Sequence, residues 1–152
     1  DQALADWLEK AGMEKFVDYW QSTPIWASQA RLPDLVRRKL RTQRLKNNAV
    51  GLANSLRGVG TGAQPALHHQ LVEIKAPALF MAGNDDAKYL GIAHEMHLAV
   101  AHSRLEVMRE AGHAVHLEQP ERFNQAVLGF LKANELFANP VKEARAKSRL
   151  NH

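Results

Sequence analysis

The chain has 152 residues, of which 45% are hydrophobic and 24% are charged, a balance typical of a globular protein with a hydrophobic core. It contains no cysteine, which excludes disulfides and thiolate metal sites. No apolar run approaches the roughly 20 residues of a membrane-spanning helix, and the first residues lack the basic and apolar regions of a secretory signal. We therefore expect a cytoplasmic protein that has no contact with membranes.

The formal net charge is +4, and basic residues concentrate in two stretches. Residues 31–46 hold seven basic side chains against the single acid Asp34, and residues 138–152 hold four more. Such stretches attract nucleic acid, membrane surfaces or small polyanions, but they equally suit a solvated helix face and a loose tail. Because no nucleic-acid motif accompanies them, we do not expect a nucleic-acid partner.

The first part of the chain predicts four short helices, because apolar residues recur there at helical spacing and glycine or proline separates the groups. The apolar positions of the first three are Leu4, Leu8 and Ala11, then Phe16, Val17, Tyr19 and Trp20, then Leu32, Leu35, Val36 and Leu40. The fourth helix is predicted from Ala49 to Leu56, before the glycine-rich residues 58–62 end regular structure.

The second part of the chain predicts alternating strands and helices. Residues 77–82 form a compact apolar run before Gly83, which is typical of a buried parallel strand. A helix over 88–100, a strand over 104–108 and a final helix from Pro120 follow. This order predicts an α/β fold with parallel pairing. Since two strands cannot protect their own edges, we expect that flanking strands lie outside this sequence.

Polar residues follow both predicted strands. Asp85 and Asp86 follow the first strand, and Gly112 and His113 follow the second. Catalytic groups of parallel α/β sheets lie at these strand ends, and an acid before a histidine is the order found after the serine of a Ser–acid–His triad. There the histidine takes the proton of the nucleophile and the carboxylate orients the histidine. The alternative is that the aspartates cap a helix and the histidine belongs to a turn.

The two strand-end segments resemble motifs that are general to α/β hydrolases. Three segments earlier in the chain resemble one family. Residues 83–86 are similar to the G-x-x-D acid turn of α/β hydrolases, and residues 111–120 are similar to their G-H-x-x-x-x-E-x-P histidine segment. The narrower resemblance is to the 2-succinyl-6-hydroxy-2,4-cyclohexadiene-1-carboxylate synthase family, here called the MenH family, and covers roughly residues 1–134. It is carried by residues 20–29, 41–44 and 55–65.

The resemblance implies the C-terminal part of an α/β-hydrolase fold, in which a helical cap segment precedes the last parallel strands and helices of the core. Residues 1–65 would form the cap segment, residues 66–137 the core portion and residues 138–152 a loosely attached basic tail. Residues 58–62 would then be the flexible return from cap to core. They lack the preceding strand and the G-K-S/T signature of a phosphate loop.

The resemblance also implies the roles of four residues. Asp86 takes the position of the triad acid and His113 that of the base, whereas the neighbours Asp85 and His116 match no catalytic position. Arg44 and Trp20 fall where cap residues of the family hold the carboxylates of the substrate. A guanidinium suits that task because it binds a carboxylate through two parallel hydrogen bonds.

Two further arginines share the helix face of Arg44. Arg37 and Arg41 precede it at i, i+4, i+7 spacing, and we interpret both as surface residues. The close pairs His68–His69 and His94/His97 have no third ligand placed to complete a metal site. We expect neither a metal nor another cofactor.

No G-x-S-x-G nucleophile motif occurs in the sequence. In the family order the serine precedes the cap, so we expect it before residue 1, in a missing N-terminal half or in a swapped or dimeric partner. The chain alone would then be inactive. The complete protein would be a C–O lyase of menaquinone biosynthesis that eliminates pyruvate from a succinyl-enolpyruvyl-hydroxycyclohexene-carboxylate, a small polycarboxylate.

Two alternatives stay open at this point. A hydrolase acting on ester or C–C bonds would share the fold, because fold alone does not determine the reaction. A non-catalytic basic interaction domain would account for the positive charge without any chemistry.

Overall fold

The computed structural model describes residues 1–135. Four α-helices come first: α1 Gln2–Ala11, α2 Met13–Ser22, α3 Asp34–Leu45 and α4 Ala49–Val59. Two 3-10 helices, Pro24–Arg31 and His68–Glu73, precede α3 and the first strand. The remaining elements are β1 Ala78–Gly83, α5 Ala87–Ala99, β2 Ser103–Met108, α6 Val115–Glu118 and α7 Pro120–Glu135.

The helical part has its own hydrophobic core. Leu8 of α1, Phe16 and Val17 of α2 and Ala53 of α4 are buried against one another. Gly12 makes the tight turn from α1 to α2 at a φ of 82°, a left-handed conformation that favours glycine, and its N–H donates to the carbonyl of Leu8. The predicted end of the first helix at Gly12 is confirmed.

Helix α4 continues to Val59, three residues beyond the predicted end at Leu56. Arg57, in its last turn, donates to the carboxylates of Asp6 and Glu9 on α1, at 2.7 Å each. These ion pairs tie the end of α4 to α1, which accounts for a helix that runs through Gly58. The prediction that regular structure stops at Gly58 is wrong by two residues.

The two strands form a parallel sheet, as predicted, with α5 as the connection between them. Their register runs from Ala78 opposite Ser103 to Gly83 opposite Met108, so the carboxyl ends of the strands are level. Met108 and the residues after it pack with α6 and α7 in a second core cluster. The fold is therefore α/β, with the two polar strand ends at one edge of the sheet.

Three short elements were not predicted: both 3-10 helices and the four-residue α6. Each is too short to show the helical periodicity by which the longer helices were found. The basic tail and residues 136–137 lie outside the described residues, and the domain boundary at residue 65 stays a prediction. Within residues 1–135, no helix is long and apolar enough to cross a membrane.

We predict that Gly83→Ala destabilises the chain, because a β-carbon at this position would collide with the carbonyl oxygens of Ala111 and Gly112. The expected loss in the free energy of unfolding is about 1–3 kcal/mol, measured by urea denaturation. Gly91→Ala in α5 is the control, since a β-carbon there meets no atom within 4 Å. It should be neutral or stabilising by up to about 1 kcal/mol, and equal losses in both variants would contradict the prediction.

The Arg57 ion pairs predict a pH dependence of stability. Hydrogen bonds from Arg57 lower the pKa of both the Asp6 and the Glu9 carboxyl groups. Carboxylates with a lowered folded-state pKa stabilise the fold above their ordinary values near 4, and this contribution disappears as the pH falls through the lowered pKa.

We therefore expect Arg57→Gln to reduce the free energy of unfolding at pH 7, with the difference from the parent chain shrinking below about pH 4. Urea denaturation across this pH range measures it, with Arg122→Gln on α7 as the control. A difference that stayed constant down to pH 3 would be inconsistent with this account.

Candidate active site

His113 and Asp86 are in direct contact at the carboxyl ends of the two strands. His113 Nδ1 lies 2.7 Å from Asp86 Oδ2. The other carboxylate oxygen of Asp86 accepts the backbone N–H of Tyr89 and so caps α5. One carboxylate oxygen of Asp86 therefore caps the helix while the other contacts His113. The cap helps to hold the carboxylate in position toward the imidazole.

The turns that carry these two residues are bonded to each other through their backbones. Asp85 N–H donates to the carbonyl of Ala111, and Glu110 N–H donates to the side-chain oxygen of Asn84. Glu110 has a φ of 57°, the left-handed region, so its bond to Asn84 holds a conformation that few non-glycine residues adopt. The acid turn and the histidine turn are thus joined by two hydrogen bonds.

The buried carboxylate of Glu118 accepts hydrogen bonds from the histidine turn. Its side chain is only 4% exposed, and it accepts the N–H of Gly112 at 3.0 Å and that of Ala114 at 3.4 Å. The same carboxylate accepts the hydroxyl of Ser28 at 2.9 Å. A buried carboxylate needs such donors, because burying an unpartnered charge is costly. Glu118 therefore bonds to the residues on both sides of His113 and to the 3-10 helix Pro24–Arg31.

The 3-10 helix Pro24–Arg31 is fixed to both turns. A β-carbon on Gly112 would collide with the side chain of Ser28, so only glycine permits this approach. Arg31 pairs with Asp85 at 2.6 Å and lies 3.7 Å from Glu118. Asp85, the aspartate with no catalytic position in the family motif, thus has a structural partner of its own.

Two aromatic rings flank the imidazole of His113. The Tyr89 ring lies at a centroid distance of 4.5 Å and the Trp26 ring at 5.2 Å, both edge-on. Trp20 contacts Trp26 at 5.9 Å and stacks on Phe16, so it reaches the site through Trp26. The three rings of Phe16, Trp20 and Trp26 connect the helical core to the histidine.

Arg44 lies beside the ring of Trp26 and donates to two neutral side-chain acceptors. It donates to Gln21 Oε1 at 3.2 Å and to Gln29 Oε1 at 3.1 Å, with its guanidinium carbon 5.4 Å from the centroid of the Trp26 ring. Burial lowers the pKa of the guanidinium, although an arginine stays charged at neutral pH. Arg44 and Trp20 therefore both contact the ring of Trp26.

A cavity of about 510 Å³ opens beside Arg44, between α3 and the 3-10 helix Pro24–Arg31. Arg37 and Arg41 line it as well, which agrees with their predicted common face, but each pairs with a carboxylate, Asp34 and Asp18 respectively. Among residues 1–135, no group of three or more potential ligands is arranged to hold a metal ion.

Comparison with known sequences supports the predicted resemblance. No protein-family model matches the chain. A Bacillus subtilis protein whose name gives 2-succinyl-6-hydroxy-2,4-cyclohexadiene-1-carboxylate synthase as its provisional activity is 45% identical over 131 residues, covering 86% of this chain and 48% of the relative. The synthase of that name from Serratia proteamaculans is 27% identical over 131 residues, with the same coverage.

Comparison with solved structures agrees. MenH from S. aureus superposes with a TM-score of 0.87 at 37% identity, covering 88% of this chain and 50% of that protein. The chain resembles the MenH family and has an α/β-hydrolase fold. It corresponds to the C-terminal half of the family and spans about half the length of the curated synthases it matches.

A more distant structure shows the breadth of the fold. A thermophilic esterase from Thermogutta terrifontis superposes with a TM-score of 0.75 at 24% identity, covering 87% of this chain and 48% of the esterase. A likeness at that identity shows the fold alone. The synthases that match support an enzyme, and the esterase supports the α/β-hydrolase fold.

The sequence predicted two residues of the candidate site and missed three others. Asp86 and His113 were expected to meet, and they do. Trp26, Gln29 and Tyr89 were not predicted as site residues, although Trp26 and Gln29 fall inside the segment that carried the family resemblance. The position of Tyr89 could have been inferred from the helix cap at Asp86, because the first turn of α5 places Tyr89 beside the carboxylate.

We predict that Glu118→Ala lowers the free energy of unfolding by about 2–3 kcal/mol, because it leaves buried N–H donors of the histidine turn without their acceptor. Ser28→Ala removes only one donor to the same carboxylate and should cost about 1 kcal/mol. Urea denaturation of both variants measures the difference. Equal effects would mean that Glu118 acts mainly through Ser28.

Proposed function

We propose that this chain supplies the acid and the base of a Ser–His–Asp triad, with Asp86 as the acid and His113 as the base. The observation that carries the proposal is the 2.7 Å contact between His113 Nδ1 and Asp86 Oδ2 at level strand ends. When Nδ1–H donates a hydrogen bond to the carboxylate, Nε2 has a free lone pair and can accept the proton of a nucleophile.

The serine of the triad belongs, in this proposal, to the part of the relatives that this chain does not span. In α/β hydrolases the nucleophile precedes the acid and the histidine along the chain. The missing half, or the same region of a swapped or dimeric partner, would bring the serine toward Nε2 of His113. The chain by itself would then be inactive.

The substrate we propose is a succinyl-enolpyruvyl-hydroxycyclohexene-carboxylate, a molecule with several carboxylates. The names of the synthases in the comparison support this class. Arg44 is the proposed carboxylate ligand, because it is partly buried and its hydrogen bonds go to the neutral side chains of Gln21 and Gln29. Trp20 is the second proposed binding residue and supports the position of Trp26.

The proposed reaction is an elimination, which makes the complete enzyme a C–O lyase of menaquinone biosynthesis. The serine, made basic by His113, removes a proton from the ring. The electron pair of that C–H bond forms the new ring double bond, and the C–O bond to the enolpyruvyl group breaks. The departing enolate takes up a proton and leaves as pyruvate.

Substitution of the two triad residues tests this proposal in the complete protein, in which this chain is joined to its N-terminal half. His113→Ala and Asp86→Asn should each lower kcat for pyruvate release by about 10³-fold or more, because each disrupts the proton acceptor. Asp85→Asn is the matched control and should change kcat by only a few-fold, since Asp85 pairs with Arg31.

Unimpaired pyruvate release by His113→Ala would refute the assigned roles. Hydrolysis of nitrophenyl esters, measured in parallel, tests the proposed reaction class independently of the proposed triad. If ester hydrolysis is much faster than pyruvate release and depends on the same two residues, the triad stands and the lyase reaction does not.

A further inference from the structure

The imidazole of His113 needs more than one contact to stay in a fixed orientation. Its hydrogen bond to Asp86 joins a single ring atom, Nδ1, to the carboxylate at 2.7 Å. Rotation about the bond between Cβ and the ring is soft in histidine, because a torsion between a tetrahedral and a planar carbon has broad minima. The side chain is 26% exposed, so neighbouring groups cover most of the ring and can restrict this rotation.

The ring of Tyr89 is the nearer of the two aromatic rings that flank the imidazole. Its centroid lies 4.5 Å from that of His113 at an interplanar angle of 64°, whereas the Trp26 ring lies at 5.2 Å. Edge-to-face pairs at such separations are favourable, since the positive edge of one ring meets the negative face of the other. Tyr89 can therefore restrict the torsion that the hydrogen bond to Asp86 leaves soft.

Tyr89 contacts the acid as well as the base. Its backbone N–H donates to Asp86 Oδ1 at 3.2 Å, in the first turn of α5, while its ring lies against His113. The position of the ring is thus tied to the carboxylate that contacts the imidazole. Because the bond to Asp86 comes from the backbone, a substitution of the side chain removes the ring contact and leaves the helix cap in place.

The burial of Tyr89 does not suggest a residue that the fold depends on. The residue is 37% exposed and lies outside both hydrophobic core clusters of residues 1–135. Its ring also contacts the exposed Lys88, whose Nζ lies 5.5 Å from the centroid. Loss of such a side chain costs little stability compared with loss of a buried one. An effect on the reaction would therefore come from the contact with His113.

Trp26 makes the corresponding contact from the 3-10 helix Pro24–Arg31, but it has other partners as well. Its ring lies 5.9 Å from Trp20 and 5.4 Å from the guanidinium carbon of Arg44. Both partners are proposed binding residues, so a substitution of Trp26 would disturb the binding of substrate together with the histidine. Substitution of Tyr89, on α5, separates the histidine contact from these binding residues.

We propose that Tyr89 is a positioning residue for the proton-transfer step. Its ring holds the imidazole plane in the orientation in which Nδ1 faces Asp86 and Nε2 faces the nucleophile. Tyr89 exchanges no proton itself, so its ring is required and its hydroxyl is dispensable. This role rests on the proposed function for the assignment of His113 as the base, but the orientation of the imidazole can be measured without turnover.

Substitution of Tyr89 in the complete protein, in which this chain is joined to its N-terminal half, tests the role. Tyr89→Ala should lower kcat for pyruvate release by about 3- to 10-fold, the loss expected from one aromatic contact, with KM within about twofold of the parent. Tyr89→Phe keeps the ring and should retain kcat within about twofold. Tyr19→Ala is the matched control and should leave kcat unchanged, because this exposed tyrosine meets Trp7 edge-on at 5.3 Å instead.

A spectroscopic measurement reports the orientation of the imidazole directly. The proton on His113 Nδ1 should give a low-field NMR resonance in the parent protein, assigned by its absence from His113→Gln. The resonance should broaden or disappear in Tyr89→Ala, because a mobile imidazole exposes this proton to water, and should persist in Tyr89→Phe. If Tyr89→Ala does not fold, Tyr89→Leu replaces it with the same expected results, since leucine is apolar but lacks the flat ring.

Unchanged kcat in Tyr89→Ala, an equal loss in Tyr19→Ala, or a resonance that is absent from the parent or survives in Tyr89→Ala would overturn the positioning role. An equal loss in Tyr89→Phe would show that the hydroxyl acts, and a raised KM at unchanged kcat would show contact with the substrate. Either result refutes a role through His113. Failure of the proposed function looks different, because pyruvate release would be absent or independent of His113 while the resonance still depended on Tyr89.

Discussion

The buried carboxylate of Glu118 is the interaction on which the rest of the site depends. It accepts backbone N–H groups on both sides of His113 and the hydroxyl of Ser28, so it fixes the histidine turn and the 3-10 helix Pro24–Arg31 in one step. Because that 3-10 helix carries Trp26, the same carboxylate also sets which ring faces the imidazole. The positions of His113 and Trp26 therefore depend on the same carboxylate.

Glycine makes this arrangement possible at two points. Gly83 lies against the carbonyls of Ala111 and Gly112, and Gly112 lies against Ser28. Any side chain at either position would push the histidine turn away from the acid turn or from the 3-10 helix. The motif glycines beside Asp86 and His113 therefore serve close packing between backbones, and neither adopts a positive φ in this structure.

The sequence predicted the parts of the molecule that have long periodic patterns or strand-end chemistry. The helices, the parallel pair of strands and a contact between an aspartate and His113 could be inferred from spacing and order. The choice of Asp86 over Asp85 came from the family resemblance. The 3-10 helix Pro24–Arg31 could not be inferred, since its position depends on a hydroxyl–carboxylate bond between residues far apart in the chain. The burial of Gln29 and its bond to Arg44 were invisible for a related reason: the partners of a buried amide are known only when its surroundings are known.

The bond between Ser28 and Glu118 spans 90 positions, whereas that between His113 and Asp86 spans 27. Closing a longer loop costs more chain entropy, and contacts of high sequence separation tend to form late in folding. We expect the acid–base pair to assemble with the sheet, before the ring of Trp26 arrives. The site would then form in two stages, with the histidine–aspartate contact first and the aromatic ring beside it second.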